Sequence, residues 1–211
     1  DMLTDLTDYE SAYIHYDKAL TLATTLGNSQ YIYYASLGEA RLQRLQGNHA
    51  LAIEELKRTE ISQIKMGIFE RAMFNLELGC CWLESDKVEL AVGTLREAVE
   101  LFGEGGNQME QASAWLWLDI ASSVNDPDAA KAHLKESLPA PREWNKPIQQ
   151  LVHAGRAILW LKKRNSHLLR DPLLKSFFEQ AEHVRESLIQ LDRNLVHGSE
   201  HLQTVSHRLE I

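Results

Sequence analysis

Asp8-Tyr9-Glu10-Ser11-Ala12, with Tyr16 and Ala19 behind it, opens a pattern of one small residue, a large one four positions on and a small one three beyond that. The pattern returns as Ala52-Leu56-Thr59, Ala91-Leu95-Ala98 and Ala130-Leu134-Ser137, so its head steps by 40, 39 and 39 positions. Self-similarity at such a period marks a helical solenoid, in which each helix pair buries its apolar face against the next. The small residues are read as packing devices that let helices approach, with the large residue filling the space between.

Working outward, helix boundaries fall where turn chemistry predicts them. Thr7-x-x-Glu10 forms a capping box for a helix that ends at Gly27-Asn28. A second pair runs from Gln30 to Gln46, turns at Gly47-Asn48 and continues from His49 to about Lys65; a third carries Leu78-Gly79 in its first helix, turns at Ser85-Asp86 and resumes at Lys87. In Leu37-Gly38 and Leu78-Gly79 a residue without a side chain stands where a neighbouring helix can approach, offsetting a helix-propensity cost of roughly 1 kcal/mol. Gly103-Glu104-Gly105-Gly106-Asn107 has the composition of a phosphate loop, but no strand precedes it, so it reads as a turn between helices. A fourth pair follows, Ala112 to Val124 and then a helix started by Asn125-Asp126-Pro127.

Pro139, Pro141 and Pro147 make the strongest break in the chain. The expected organisation is therefore four repeats over 1–138, a linker over 139–146, and a fifth helix pair with a capping or coiled-coil helix over 147–211. The first helix of that pair spans Pro147 to about Arg164, and the second opens at Asp171-Pro172. Residues 1–6 read as the end of a helix already under way, which leaves the first pair incomplete. From Leu174 through Phe177, Ala181, Val184, Leu188, Leu191, Leu195, Gly198, Leu202, Val205 and Leu209 the apolar steps alternate three and four, a heptad seam. It suits either a helix lying along the array or a homodimeric coiled coil.

Composition narrows the function classes. Of 211 residues, 44% are hydrophobic and 25% charged, an ordinary balance for a helical protein, and no apolar run approaches the roughly 20 residues of a membrane span. The net charge of −8 divides into −11 over residues 1–140 (11 basic against 22 acidic) and +3 over 141–211 (11 against 8). An acidic body is a poor surface for phosphate backbones, so direct nucleic-acid binding is not expected. Adjacent Cys80 and Cys81 suit neither a disulfide framework nor a zinc site, and read as small helical residues in a reducing, cytoplasmic setting.

The one motif of catalytic form is His197-Gly198-Ser199-Glu200-His201, which matches the H-x-x-E-H pattern of inverted zinc peptidases. A glycine inside it weakens the helix that metal geometry requires, and ten residues remain to supply a third ligand. The other histidines are dispersed and no nucleophile motif is present, so no catalytic residue, metal or cofactor is expected. Trp115 and Trp117, two apart on one helix, cannot both face the same core, and one of them is expected to line a groove.

Asp8-Tyr9-Glu10-Ser11-Ala12-x3-Tyr16-x2-Ala19-Leu20 resembles the second helix of a tetratricopeptide repeat (TPR), and Leu37-Gly38 and Leu78-Gly79 resemble its first. The likeness covers about 7–138 well and 147–190 loosely, with a period of 39 to 41 in place of 34, and Leu118 stands where that family prefers a small residue. Repeats of this length are similar to those of large bacterial ATP-dependent transcription regulators of the LuxR type or with a bacterial transcriptional activator domain. The resemblance implies an all-α fold, a right-handed α-α superhelix of about five helix pairs, and a regulatory sensing role between an ATPase and a DNA-binding domain. Carried onto matching positions, the family's groove would comprise Ile32, Glu39, Gln43, Met73, Cys80, Glu84, Trp115 and Asp119. That strip is acidic and apolar, suited to a protein or peptide segment of basic or apolar character, including neighbouring domains of a parent chain. A small-molecule inducer is the other ligand class the resemblance implies.

Overall fold

The computed structural model describes residues 9–61, 67–137, 148–164 and 166–183, with 186, 187 and 190. Among these residues there is no strand. The helices follow as α1 (Tyr9–Thr25), α2 (Ser29–Leu45), α3 (His49–Ile61), α4 (Ile68–Glu84), α5 (Val88–Glu104), α6 (Gln108–Ser122), α7 (Pro127–Ser137) and α8 (Ile148–Lys163). A 3-10 turn at His167–Arg170 leads into α9, over 172–183.

Four reversals share one backbone device. Gly27, Gly47, Asp86 and Gly106 hold φ at 63°, 85°, 65° and 70°, the left-handed region that ends a helix. In each case the next residue's N–H reaches five positions back at 2.9 Å: Asn28 to Ala23, Asn48 to Gln43, Lys87 to Trp82 and Asn107 to Phe102. The glycine-rich stretch before Asn107 is thus a helix-ending turn, as its sequence context predicts. Helix starts are equally explicit. Asn28 Oδ1 accepts from the Tyr31 N–H at 3.1 Å, and Asp126 Oδ1 from that of Ala129 at 3.1 Å. Asp171 Oδ1 accepts from Leu173 and Leu174 at 3.0 and 3.3 Å. The capping box at Thr7 lies outside the described residues.

Between these fixed ends the helices stack as an α-α superhelix. Each of α1 to α6 packs on its successor, and α2 with α4, α4 with α6 and α6 with α8 also touch. One layer is therefore α2, α4, α6 and α8; the other holds α1, α3, α5 and α7. The repeat heads Ala12, Ala52, Ala91 and Ala130 are all buried, as are Leu56, Leu95 and Leu134. Both Leu-Gly glycines lie under a large side chain of the neighbouring helix. A Cβ at Gly38 would collide with the Tyr16 ring, and one at Gly79 would meet Leu95 Cγ at 2.6 Å.

Two apolar cores result. A smaller one joins Tyr33, Leu37, Ala40, Ala52, Ile53 and Leu56 to Phe74 and Cys81 of α4. The larger runs from Ala72, Leu76, Cys80 and Leu83 of α4 through α5, α6 and α7 into Ala154, Ile158, Leu168, Phe178 and Ala181. The expected linker over 139–146 lies outside the described residues, yet α8 and α9 share the larger core with α5 to α7. Leu174, Phe177 and Ala181, the first three seam positions, point into that core; the seam positions from Val184 on, like His197–His201, lie outside the described residues. No helix among the described residues is long and apolar enough to cross a membrane.

Candidate binding surface

On the layer containing α2 and α4, polar side chains form a seam through an otherwise apolar crossing. Glu70, Glu77 and Glu84 are seven apart on α4 and so share one stripe. At the upper end, Glu70 Oε1 accepts from Tyr34 Oη at 2.8 Å and from Gln30 Nε2 at 3.3 Å, while Tyr33 donates to the Glu70 carbonyl. Two turns down, Glu77 is held by two arginines, Oε2 by Arg41 Nε at 3.1 Å and Oε1 by Arg44 Nε at 2.6 Å. Arg44 also donates from Nη1 to Glu84 Oε1 at 2.6 Å, and His49 Nδ1 lies 3.7 Å from Glu84 Oε2.

Arg44 and Glu77 are both buried, and removing water from either is costly unless every charge is matched. Burial alone would raise the Glu77 carboxyl, but Arg44 and Arg41 overcome it and hold the group well below the usual carboxylate range. Burial works against the Arg44 charge, and Glu77 and Glu84 outweigh it, so the guanidinium stays charged. Stripping one partner from such a pair costs about 3–5 kcal/mol, because the other is left charged and dry.

A second polar group joins α6 to α8. Trp117 is wholly buried and its Nε1–H donates to His153 Nδ1 at 2.9 Å. An indole N–H can only donate, so His153 is neutral with its proton on Nε2. Burial, reinforced by Arg41 and Arg156, pushes the His153 imidazole well below its ordinary value. On the opposite side of α6, Asp119 Oδ2 lies 2.8 Å from His133 Nδ1 on α7, and Trp115 leans over the same ring at 4.7 Å between centroids. Burial raises the Asp119 carboxyl and the bond to His133 partly offsets it.

The eight residues expected to form a groove are dispersed over several environments. Glu84 belongs to the α2–α4 seam, and Trp115 and Asp119 meet at His133. Trp115 is 37% exposed while Trp117 is fully covered, so the two tryptophans do face different ways. Cys80 is a core residue, and burial pushes its thiol up, as it does that of Cys81. Met73 packs against both cores. Ile32 is half-buried in the first turn of α2, and Gln43 Oε1 accepts from Asn48 Nδ2 at 3.0 Å. Glu39 is half-buried, and its carboxyl is raised by burial and then by Glu55 of α3 and Asp17 of α1, which puts it on the flank of α2 facing the other layer.

Sequence reasoning missed Arg41, Arg44, Glu77 and His153. A signal for them existed: Arg44 and Glu84 bond across 40 positions, and Gln30 and Glu70 also across 40, one repeat length. Complementary residues one period apart are candidates for contact between successive helices of one layer. Among the described residues no group of three or more His, Cys, Asp or Glu could hold a metal ion. No protein-family model, curated protein or solved structure matches the chain.

Proposed function

We propose that the chain is a non-enzymatic interaction and regulatory module of the TPR kind, the sensing region of a larger bacterial transcription regulator. A partner segment is bound along the α2–α4–α6 layer, and binding shifts the regulator between closed and open populations by favouring one of them. The observation that carries this reading is the polar seam. An apolar crossing of the same volume is often at least as stable, so Arg41, Arg44, Glu77 and Glu84 are best accounted for as fixing how α2 sits against α4, and with it the surface the two helices present. Arg44 Nη2 is buried with no hydrogen-bond partner among the described residues.

The test uses arrayed fifteen-residue peptides of basic and apolar composition, probed with the wild-type chain and with an Ile32→Ala, Gln43→Ala, Trp115→Ala variant. These positions leave the Arg44–Glu84 pair intact. Loss of about tenfold in affinity at an unchanged melting temperature supports the surface. Equal affinity of the two proteins for every bound peptide would dismiss it.

A further inference from the structure

A cavity of about 200 Å³ lies between the turn that ends α6 and the turn that ends α8, lined by Ser123, Val124, Trp160, Arg164, Ser166 and His167. The carbonyls of both helix ends beside it are already met. Ala121 accepts from the Val124 N–H, Ser122 from Asn125 and Asp126, Trp160 from Arg164 and Leu161 from Ser166. What the walls still offer is mostly donors and apolar surface. Ser166 Oγ accepts from the Leu168 N–H at 3.3 Å, which leaves its own proton to donate elsewhere. The Arg164 guanidinium carbon stands 4.9 Å from the centre of the Trp160 ring. Trp160 itself contributes ring carbons, since its Nε1 is buried.

The charge around the cavity favours an anion. In an acidic chain, the stretch 162–170 carries Lys162, Lys163, Arg164, His167 and Arg170 and no carboxylate. The carboxylate that Arg164 does meet comes from Asp86, which does not line the cavity and accepts from Nη2. Of the four left-handed turns that end helices, three use glycine and the fourth uses Asp86 at φ 65°. A residue with a Cβ gives up conformational ease there, so the carboxylate is what the position gains. That side chain is 68% exposed, so water screens the pair and a second carboxylate can compete for the same guanidinium.

We propose that this cavity binds a small organic carboxylate, and that Asp86 is the internal carboxylate with which the ligand competes. The ligand's oxygens take Arg164 and the Ser166 hydroxyl, while its apolar body lies against Val124 and the Trp160 ring, the mixture of few polar anchors and apolar wall that small-molecule sites present. The site shares no residue with the α2–α4 seam, so the peptide-binding reading can fail without it.

Benzoate titrated into the full chain tests it, followed by nitrogen-edited NMR of the indole N–H signals with Trp160 assigned through Trp160→Phe. The Trp160 signal is expected to move and saturate in the wild type. Arg164→Gln should weaken binding by about tenfold. Asp86→Gly should tighten it by about two- to fivefold, because glycine suits the left-handed turn and the guanidinium loses its competitor. Benzamide, with the same ring and no charge, should bind about tenfold less well, as should inorganic phosphate, with charge and no ring. Circular dichroism checks that each variant keeps its helix content. The absence of a saturable shift, equal affinity of Arg164→Gln and wild type, benzamide or phosphate binding as tightly as benzoate, or unchanged or weaker binding by Asp86→Gly overturns the proposal.

Discussion

His153 is held neutral by its surroundings: Trp117 donates to Nδ1, and the charges of Arg41 and Arg156 act on the ring from α2 and α8. Protonation would turn that acceptor into a donor facing another donor, in a dry site that already holds positive charge. Because the folded group has a lowered pKa, the unfolded chain takes up the proton first, so the stabilisation is complete above the unfolded value and lost as pH falls below it. The expected loss is about 1.4 kcal/mol per pH unit beneath roughly pH 6.5. Glu77 acts in the same direction, since its carboxyl is depressed, but only once pH falls into the ordinary carboxylate range. Asp119, whose carboxyl is raised, acts the opposite way there. Urea denaturation at pH 7 and pH 5.5 should therefore show a fall in stability that His153→Asn, which keeps an acceptor but no titrating ring, removes. A fall of the same size in the variant would mean that another group is responsible.

At the scale of helices, glycine separates packing from propensity. Gly79 lies inside α4 under Leu95, where a Cβ would meet Leu95 Cγ at 2.6 Å and the Leu95 backbone N at 3.3 Å. Gly93 lies inside α5 with nothing within 4 Å of its Cβ position. Gly93→Ala is expected to stabilise by about 1 kcal/mol through helix propensity alone. Gly79→Ala should destabilise by about 1–3 kcal/mol, the overpacking outweighing the same gain. Thermal melts of both variants check the contrast, and two shifts of one sign would refute it. These elements were legible beforehand because their signals are local: Asn28, Asp126-Pro127 and Asp171-Pro172 cap, Gly27 and Gly47 terminate, and Ala91-Leu95-Ala98 faces inward. The meeting of Arg44 with Glu77 was not legible, because it depends on how two helices 33 positions apart are rotated against each other. Asp86 in a left-handed conformation was hidden for a related reason, since the turn geometry is set by the helices it joins and here overrides the usual preference for glycine.

Across the whole molecule, stability is unevenly distributed. Of α1 only Ala12 and Ala23 are buried, whereas seven residues of α5 are, from Val88 to Phe102. Repeat arrays open in units according to the burial each unit supplies. Hydrogen exchange should find the α1 amides exchanging first, α2 and α3 next and α5 and α6 last, and uniform protection from α1 to α6 would contradict the order. The larger core spans both halves of the chain, from Ala72 to Ala181, and overlaps on α4 with the smaller one, which lies between Tyr33 and Cys81. Cys80 and Cys81 are neighbours in sequence, yet about 100° apart around the helix they serve different cores.

That division of α4 bears on inheritance. A gene cut between 61 and 68 would deprive the first three helices of Phe74 and Cys81, which complete their interior. A cut after 84 would take from the later helices Ala72, Leu76, Cys80 and Leu83. Recombination can therefore exchange this array between proteins only as one block, or by borrowing a replacement for α4 that satisfies neighbours on both sides at once.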